Sequence, residues 1–263
     1  VLSDGARSII QNNDGDFVMT GFTFSGGYGN ADLLLMKTDI DGNEEWINAF
    51  GTSGFEYGNS IIQYNDNSYV IAGYTYNSTS DSKDILLLKT DENGNEDWSV
   101  SIGGSSLDIA SSVIETSDNH LLVCGYTESF GAGEDDIYLI KVNSLGEVIW
   151  SKTFGGTASD VGNSVFEFDG CYYITGFTGS YGAGHRDIWF IKTDIDGNEI
   201  WSRTYGYAND GQWGCEAKPV NDGFIIVGSC DSLDTEGTVN GELSDVFVIK
   251  TDFSGNLLWK KRI

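Results

Sequence analysis

The stretch DILLLKTDENGNEDW, residues 84–98, occurs in near-copies five times along the chain and decides the fold. Each copy holds an Asp, four apolar residues, a Lys, a turn centred on Gly, and a Trp four residues after that Gly. The other copies are DLLLMKTDIDGNEEW (32–46), DIYLIKVNSLGEVIW (136–150), DIWFIKTDIDGNEIW (187–201) and DVFVIKTDFSGNLLW (245–259). Four consecutive large apolar residues, too few for a core helix and rich in β-formers, predict a strand buried on both faces. The Gly-centred turn predicts a hairpin, because Gly supplies the positive φ that such loops need.

The copies repeat with a period that has room for four strands. Aligned on the Trp, they advance by 52, 52, 51 and 58 residues. In the second period the predicted strands are 59–64, 69–76, 84–90 and 96–102. Repeated sheets that are apolar on both faces must pack face to face. We therefore predict an all-β fold, a five-bladed β-propeller with four antiparallel strands per blade.

We predict one domain over residues 1–263, with blades at about 1–51, 52–104, 105–156, 157–207 and 208–263. The single proline, Pro219, leaves no linker at which to divide the chain. No strand is left over to complete a blade from the other end, so ring closure is expected to depend on packing between blades one and five. A fragment of a larger ring, or an open array, is the alternative. The start at Val1 without a secretion signal suggests a mature or excised segment.

The charge excludes some partners. With 40 acids against 14 bases the formal net charge is −26, which argues against nucleic acid and anionic membrane surfaces, since both need a basic patch. No stretch approaches the roughly 20 apolar residues of a membrane span, so no membrane insertion is expected. Such a charge attracts divalent cations, and an extracellular or high-salt setting would screen it.

The second strand of each period ends in an apolar run and a Gly, at Gly21, Gly73, Gly125, Gly176 and Gly228. Gly inside a strand indicates a bulge or a close approach of another group. We expect an indole from the next repeat to be that neighbour.

The cysteines leave two interpretations open. Cys215 and Cys230 align with Ser8 and Thr23 of the first repeat, positions expected on adjacent strands. A cross-strand disulfide is one prediction, and two free thiols are the other. A disulfide would favour an oxidising, secreted location. Cysteine spacing gives no zinc motif.

The pattern D-x-x-x-x-K-T-D-x-x-G-x-x-x-W, followed by F-G-G and preceded by G-[FY]-T, resembles the repeats of bacterial and archaeal cell-surface β-propellers of the SBBP type. The resemblance covers all five units, although GQWGCEAKP (211–219) replaces the usual first strand of blade five and the loop 231–244 is longer. The D-x-x-G-x-x-x-W part is also similar to the tryptophan-docking turn of quinoprotein propellers. The resemblance implies a propeller and an extracellular or cell-surface location, and little about ligand.

Acids aligned in the loops that enter the first strands are the predicted metal residues. They are Asp4, Glu56, Asp108 and Asp160, with Asp210 displaced by one position. A ring of carboxylates would bind cations or sugar hydroxyls, whereas the alternative is that each acid accepts hydrogen bonds from its own loop. The turns 39–43, 91–95 and 194–198 also invite a calcium interpretation, but a hairpin explains them better. No cofactor is required, and calcium is the one ion that the sequence suggests.

Loop aromatics and their polar neighbours are the candidate ligand-binding residues. Tyr28, Phe130 and Tyr181 lie on glycine-rich loops and could stack on sugar rings, unless they pack against the blade rim. Blade five breaks the symmetry of the repeat. The full set is Tyr28, Phe130, Tyr181, Asp135, Arg186, Trp213 and Glu216.

The repeat Lys is interpreted as architectural. A contact such as Lys37 with Asp39, on the same face of the strand, is expected. His120 and His185 are expected in loops on opposite faces, which excludes a paired-histidine metal site and a Ser-His-Asp arrangement.

These features predict an extracellular or cell-surface module for binding, adhesion or assembly, without catalysis, whose partner is a protein or a glycan at the loop face. A carbohydrate-binding lectin is one alternative. A glycoside hydrolase or lyase that acts at the acidic channel face is another, with blade five, around Trp213 and Glu216, as its place.

Overall fold

The computed structural model describes residues 3–27, 29–77, 81–207, 211–233 and 239–263, and for residues 77, 231–233 and 239–244 it describes the backbone. Regular structure in these ranges consists of twenty strands in five four-stranded antiparallel sheets. The predicted all-β fold of five such sheets is confirmed. The described part of the chain contains no helix of the length and apolar character that crossing a membrane requires.

The strands follow one another in chain order within every sheet. Sheet one consists of β1 (Asp4–Gln11), β2 (Phe17–Thr23), β3 (Asp32–Thr38) and β4 (Glu44–Phe50). Sheet two consists of β5 (Glu56–Gln63), β6 (Tyr69–Asn77), β7 (Ser82–Thr90) and β8 (Glu96–Ile102). Sheet three consists of β9 (Asp108–Glu115), β10 (Leu121–Thr127), β11 (Asp136–Val142) and β12 (Val148–Phe154). Sheet four consists of β13 (Asp160–Phe168), β14 (Cys171–Thr178), β15 (Asp187–Thr193) and β16 (Glu199–Tyr205). Sheet five consists of β17 (Gln212–Val220), β18 (Gly223–Leu233), β19 (Val239–Thr251) and β20 (Leu257–Arg262).

The third strand of the repeat is buried on both faces, as its apolar run predicts. Every residue of β11 is buried, and in β15 only Lys192 is partly exposed. The polar termini of these runs therefore need partners within the protein.

The chain divides into two compact units, residues 1–130 with 140–150, and residues 131–139 with 151–263. In the first unit, sheets one and two pack face to face through a cluster that includes Leu35 and Ile71. In the second unit, sheets four and five do so, with the rings of Phe190 and Phe224 5.2 Å apart. A single domain over the whole chain stays a prediction.

The strand glycines make room for backbone. A Cβ added at Gly73 would lie 1.8 Å from the carbonyl oxygen of Tyr57, opposite the bulge between Gly58 and Ser60. The other four meet a carbonyl oxygen of their own first strand in the same way, at Gly21, Gly125, Gly176 and Gly228. The expected bulge is confirmed, but the expectation that an indole is the neighbour is wrong.

The indoles pack instead on the turn glycines of the following repeat. A Cβ added at Gly94 would lie 2.8 Å from the ring of Trp46. The same pairing joins Gly146 to Trp98, at 3.2 Å, and Gly255 to Trp201, at 2.9 Å. Consecutive repeats within a unit are thus fastened by Trp on Gly.

The repeat lysines bind a different turn from the one predicted. Lys89 lies 2.7 Å from Asp66, in the turn between the first and second strands. Lys37 lies 2.9 Å from Asp16 of the equivalent turn. The predicted Lys37–Asp39 contact is wrong, because Asp39 accepts the backbone N–H groups of its own turn instead.

The predicted disulfide between Cys215 and Cys230 is also wrong, because both are free thiols. Cys230 lies opposite Gln212, whereas Cys215 falls at the bulge between Gly214 and Glu216 and has no paired residue on β18. Every sheet has this bulge, but the first hairpin of sheet five is one residue shorter than that of sheet one, so Glu216, not Cys215, is equivalent to Ser8.

Candidate functional site

The aligned loop acids accept hydrogen bonds from their own loops or, for Asp4, from the end of the second strand and the loop that follows it. Asp4 accepts from the Thr23 hydroxyl at 2.7 Å and from the Ser25 hydroxyl at 3.0 Å. The Thr23 bond is the main reason that the pKa of Asp4 lies below its ordinary value. Glu56 accepts from the Thr52 hydroxyl at 2.8 Å.

The same arrangement recurs at the other two acids. Asp108 accepts from the Gly104 N–H at 2.8 Å, and Asp160 accepts from the Gly156 N–H at 2.8 Å. Both are fully buried. The described residues contain no group of three or more His, Cys, Asp or Glu side chains placed to hold a metal ion. These contacts support the architectural interpretation, and Asp210 lies outside the described residues.

The Asp that begins the third strand lies close to the aligned loop acid of the next repeat, on either side of a glycine. The sequence did not reveal this proximity. A Cβ added at Gly155 would lie 1.7 Å from Oδ1 of Asp136 and 2.9 Å from Oδ2 of Asp160. Both carboxylates are buried, with Asp136 1% exposed. Both are therefore beyond the reach of a substrate.

In the Gly-centred turns that invite a calcium interpretation, the Asp carboxylate already accepts hydrogen bonds from the Asn of the same turn. Oδ1 of Asp39 accepts the N–H of Asn43 at 2.8 Å, and the Asn43 side chain donates to Oδ2 at 2.8 Å. The latter bond is the largest cause of the lowered pKa of Asp39. Asp91 and Asp194 have the same contacts with Asn95 and Asn198.

A groove of 410 Å³ lies in the second unit, and we call it the Trp213 groove. Loops that enter first strands and loops that join second to third strands meet there. Its lining consists of Glu134, Ala158, Ser159, Gly179, His185, Arg186, Gly211 and Trp213. The groove brings together Arg186 and Trp213, two of the residues predicted to bind a ligand.

Arg186 is held between two aromatic rings. Its guanidinium carbon lies 4.7 Å from the ring centre of Phe177 and 5.9 Å from that of Trp213. The backbone carbonyl of Arg186 accepts the N–H of Gln212 at 2.8 Å. Cation–π contacts of this kind fix the guanidinium plane, so the groove has a positioned donor beside a partly exposed indole.

Acidic groups border the same groove. Glu134 is exposed, and Asp135 next to it accepts from the Ser159 hydroxyl at 2.5 Å. Sequence reasoning missed Glu134 and set His185 aside as a single histidine. Both hold the same repeat position, two residues before the strand-three Asp, and that alignment was the available signal.

Glu216 does not belong to the groove. Its carboxylate forms an ion pair with Lys218 at 2.7 Å, and both side chains are more than half exposed. Trp213 lines the groove, whereas Glu216 is not among the residues that line it. The prediction that these two residues form one site is corrected.

Tyr181 lines a separate groove of 510 Å³, the Tyr181 groove. Its hydroxyl donates to the carbonyl of Gly155 at 2.9 Å, and its ring lies 5.3 Å from Trp189. Tyr181 therefore packs on the sheet edge while 49% of its surface stays exposed. Phe130, in the first unit, is 43% exposed, and Tyr28 lies outside the described residues.

No protein-family model matches the chain, and no curated protein matches it in sequence. It is similar to the crystal structure of a thermostable family-43 glycoside hydrolase, with 9% identity, a TM-score of 0.51, and coverage of 100% of this chain and 95% of that one. An ACO/RPE65 chimera matches with 11% identity and a TM-score of 0.54, over 100% of this chain and 62% of that one. Native Bacillus subtilis arabinanase Arb43A matches with 13% identity and a TM-score of 0.47, over 98% of this chain and 99% of that one.

The fold is that of a β-propeller. The first two likenesses show this fold and nothing more, because the identities are low. They nevertheless correct the predicted module without catalysis. That prediction took whole-blade repetition as a sign that the protein is not an enzyme, and a glycoside hydrolase matches the whole chain in fold.

Proposed function

We propose that this protein is a carbohydrate-processing enzyme of the glycoside hydrolase class that binds its glycan in the Trp213 groove. The observation that carries the proposal is the lining of this groove, which joins an aromatic face, a positioned guanidinium and an exposed carboxylate. The fold shared with a glycoside hydrolase supports the reaction class. In this proposal the five sheets are five blades of one propeller.

Each group of the lining has a task in binding. A sugar ring is apolar on its faces and polar at its edge, so it can stack on the indole of Trp213. Arg186 then donates to hydroxyl groups of the sugar, and Ser159, whose own proton goes to Asp135, can accept from one. The net charge of −26 opposes an anionic chain, so the substrate class is a neutral glycan.

Cleavage needs a carboxyl group at the scissile oxygen and a second carboxylate nearby. We assign proton donation to Glu134, the acid of the lining. Asp135 is the second carboxylate, and its hydrogen bond to Ser159 orients it. The resemblance to SBBP-type repeats supports a place outside the cell or on its surface, where such glycans occur.

The test is a screen of neutral polysaccharides and aryl glycosides for released reducing ends. Glu134→Gln should lower turnover by about 100-fold or more while binding is kept, and Trp213→Ala should weaken binding. Glu216→Gln is the matched control, an acid on the same strand as Trp213 but outside the groove, and it should change neither.

Three results would contradict the proposal. Turnover retained by Glu134→Gln would remove its assigned role. Binding lost in Tyr181→Ala but kept in Trp213→Ala would move the site to the Tyr181 groove. Binding without turnover for every glycan would leave the lectin alternative in place of the enzyme.

A further inference from the structure

The Tyr181 groove is much larger than the equivalent groove between sheets one and two. The smaller groove has a volume of 120 Å³, and its lining includes Gly51, Leu86 and Ser99. The repeat puts Gly155, Trp189 and Ser202 at these positions, and all three line the Tyr181 groove, whose volume is 510 Å³. Since the smaller groove serves the same repeat architecture, the additional volume of the Tyr181 groove calls for another explanation.

An aromatic pair distinguishes the Tyr181 groove from the smaller one. Trp189 holds the repeat position of Leu34 and Leu86, and it is 4% exposed. Its ring lies 5.3 Å from that of Tyr181, which is half exposed. The hydroxyl of Tyr181 is held by the carbonyl of Gly155. A buried indole and a hydrogen bond thus fix an aromatic ring that still presents open surface.

Arg203 adds a positioned donor to the same lining. Its guanidinium carbon lies 5.4 Å from the ring centre of Trp201, and its Nη1 donates to the carbonyl of Ser202 at 2.8 Å. In sheet two this repeat position is Val100. Glu199, which is exposed, supplies a carboxylate to the lining. The Tyr181 groove therefore joins an aromatic ring, a held guanidinium and a carboxylate, the same three kinds of group that line the Trp213 groove.

These groups suit a neutral sugar. The apolar face of a sugar ring can stack on the ring of Tyr181. Sugar hydroxyls both donate and accept, so they can donate to Glu199 and accept from Arg203. An anionic ligand would be repelled by Glu199 and by the net charge of −26, and a cationic ligand would be repelled by Arg203.

The Tyr181 groove and the Trp213 groove are neighbours in the second unit. Gly155 lines the Tyr181 groove, and Ala158, three residues later, lines the Trp213 groove. In a second loop Gly179 lines the Trp213 groove, and Tyr181, two residues later, lines the other. Two residues of backbone span at most about 7 Å. The two linings therefore approach each other to within that distance along both loops.

The divide between the grooves consists of small residues, Gly156, Thr157 and Ser180. A Cβ added at Gly156 would lie 2.7 Å from the Cβ of Ser180, so the two loops are in close contact. The Ser180 hydroxyl donates to Asp160 at 2.6 Å and accepts the N–H of Ala158 at 3.0 Å. These bonds hold the divide in place, and its short side chains leave a path from one groove to the other.

We propose that the Tyr181 groove is a second sugar-binding site, and that one neutral polysaccharide chain occupies both grooves at once. This inference rests on the proposed function, in which the Trp213 groove is the place of cleavage. The Tyr181 groove then holds sugar units away from the cleaved bond, and the substrate is a polymer rather than a short glycoside. Because the two sites lie on one rigid pair of loops, a chain that spans them gains affinity from both.

Calorimetric titration with oligosaccharides of increasing length tests this inference. The probes are the linear oligomers of neutral β-glucan, xylan and mannan, from the dimer to the octamer. In the wild type, affinity for the bound series should rise by about 10-fold or more at the length that first reaches both grooves. Tyr181→Ala should keep the affinity for the shortest bound oligomer and lose the rise. Trp213→Ala should lower the affinity for every length.

Two further variants separate stacking from effects on the fold. Tyr181→Phe keeps the ring and removes the hydroxyl, so it should keep the rise in affinity with length. Phe253→Ala is the matched control, because Phe253 is an aromatic residue of the same unit that is 41% exposed and lines neither groove. It should bind every length as the wild type does. Circular dichroism checks that each variant is folded.

The outcomes distinguish this inference from the proposed function. Wild-type affinity that does not change with chain length, or a rise that persists in Tyr181→Ala, would overturn the second site. A rise that is lost in Tyr181→Ala, but without turnover of any chain, would support the second site and overturn the enzyme. Turnover of short aryl glycosides without any rise would do the opposite. Absence of binding for every probe would overturn both.

Discussion

At the scale of single residues, one amino acid at one repeat position has two different surroundings. The ring of Trp201 packs on Gly255 and lies 5.5 Å from Phe190, whereas Trp259 is largely exposed. We expect Trp201→Ala to lower the free energy of unfolding by about 2 kcal/mol or more. Trp259→Ala should cost less than about 0.5 kcal/mol. Urea unfolding measures both, and equal losses would contradict the docking role of Trp201.

The strand glycines give a second prediction at this scale. In Gly73→Ala the new methyl group would overlap the carbonyl of Tyr57, and the two strands would have to separate. We expect a loss of about 3 kcal/mol in the free energy of unfolding. Gly26→Ala is the control, because a Cβ there meets nothing within 4 Å. Thermal unfolding of both variants checks this, and a stable Gly73→Ala would show that the bulge tolerates a side chain.

At the scale of the element, a lysine of the third strand binds an Asp in the turn of the first hairpin in sheets one, two, three and five. Lys141 is 5% exposed and lies 2.7 Å from Asp118. Burial acts to raise the pKa of Asp118, but the hydrogen bonds from Lys141 and Thr116 outweigh it, and the pKa lies well below its ordinary value. A lowered pKa stabilises the fold above the pKa of the unfolded chain, and this contribution is lost as pH falls below it.

The pH dependence of unfolding therefore tests this tie. We expect stability to fall as pH drops below about 4, and Asp118→Asn should be less stable at neutral pH with a flatter acid limb. Thermal melts between neutral and acid pH measure both effects. Glu216→Gln serves as the control, since an exposed pair such as Lys218 with Glu216 contributes little. If Asp118→Asn lost stability with falling pH as steeply as the wild type does, the Lys141–Asp118 pair would not be the cause of the acid sensitivity.

The thiols of sheet five give the next prediction. Cys230 is buried, Cys215 is exposed, and neither is cross-linked. A reducing agent should therefore leave the melting temperature unchanged, because it has no bond to break. Cys215→Ser supplies the control and should melt at the same temperature with and without reductant. If reduction lowered the melting temperature of the wild type but not that of Cys215→Ser, a disulfide that includes Cys215 would be present after all.

At the scale of the whole molecule, the repeat explains which features the sequence could predict. Periodicity predicts strands and turns well, because burial on both faces needs the apolar run that residues 84–98 show. It cannot show which side chains meet across a junction, so the Lys89–Asp66 pair and the Trp46–Gly94 contact were assigned to other partners. The first hairpin of sheet five is one residue shorter than that of sheet one, which shifted the alignment of Cys215 and produced a false disulfide. The Trp213 groove was found only in part, since Glu134 and Arg186 are separated in sequence and joined by loop geometry.

The net charge gives the last prediction, and it concerns the whole molecule. With 40 acids against 14 bases, the folded state concentrates charge that the unfolded chain spreads out. Sodium chloride should therefore raise the melting temperature, most steeply at low concentration, where the screening length changes most. Sucrose is the control for effects of solutes that carry no charge. A melting temperature that is flat or falls with salt would mean that local pairs such as Lys141 with Asp118 outweigh the repulsion.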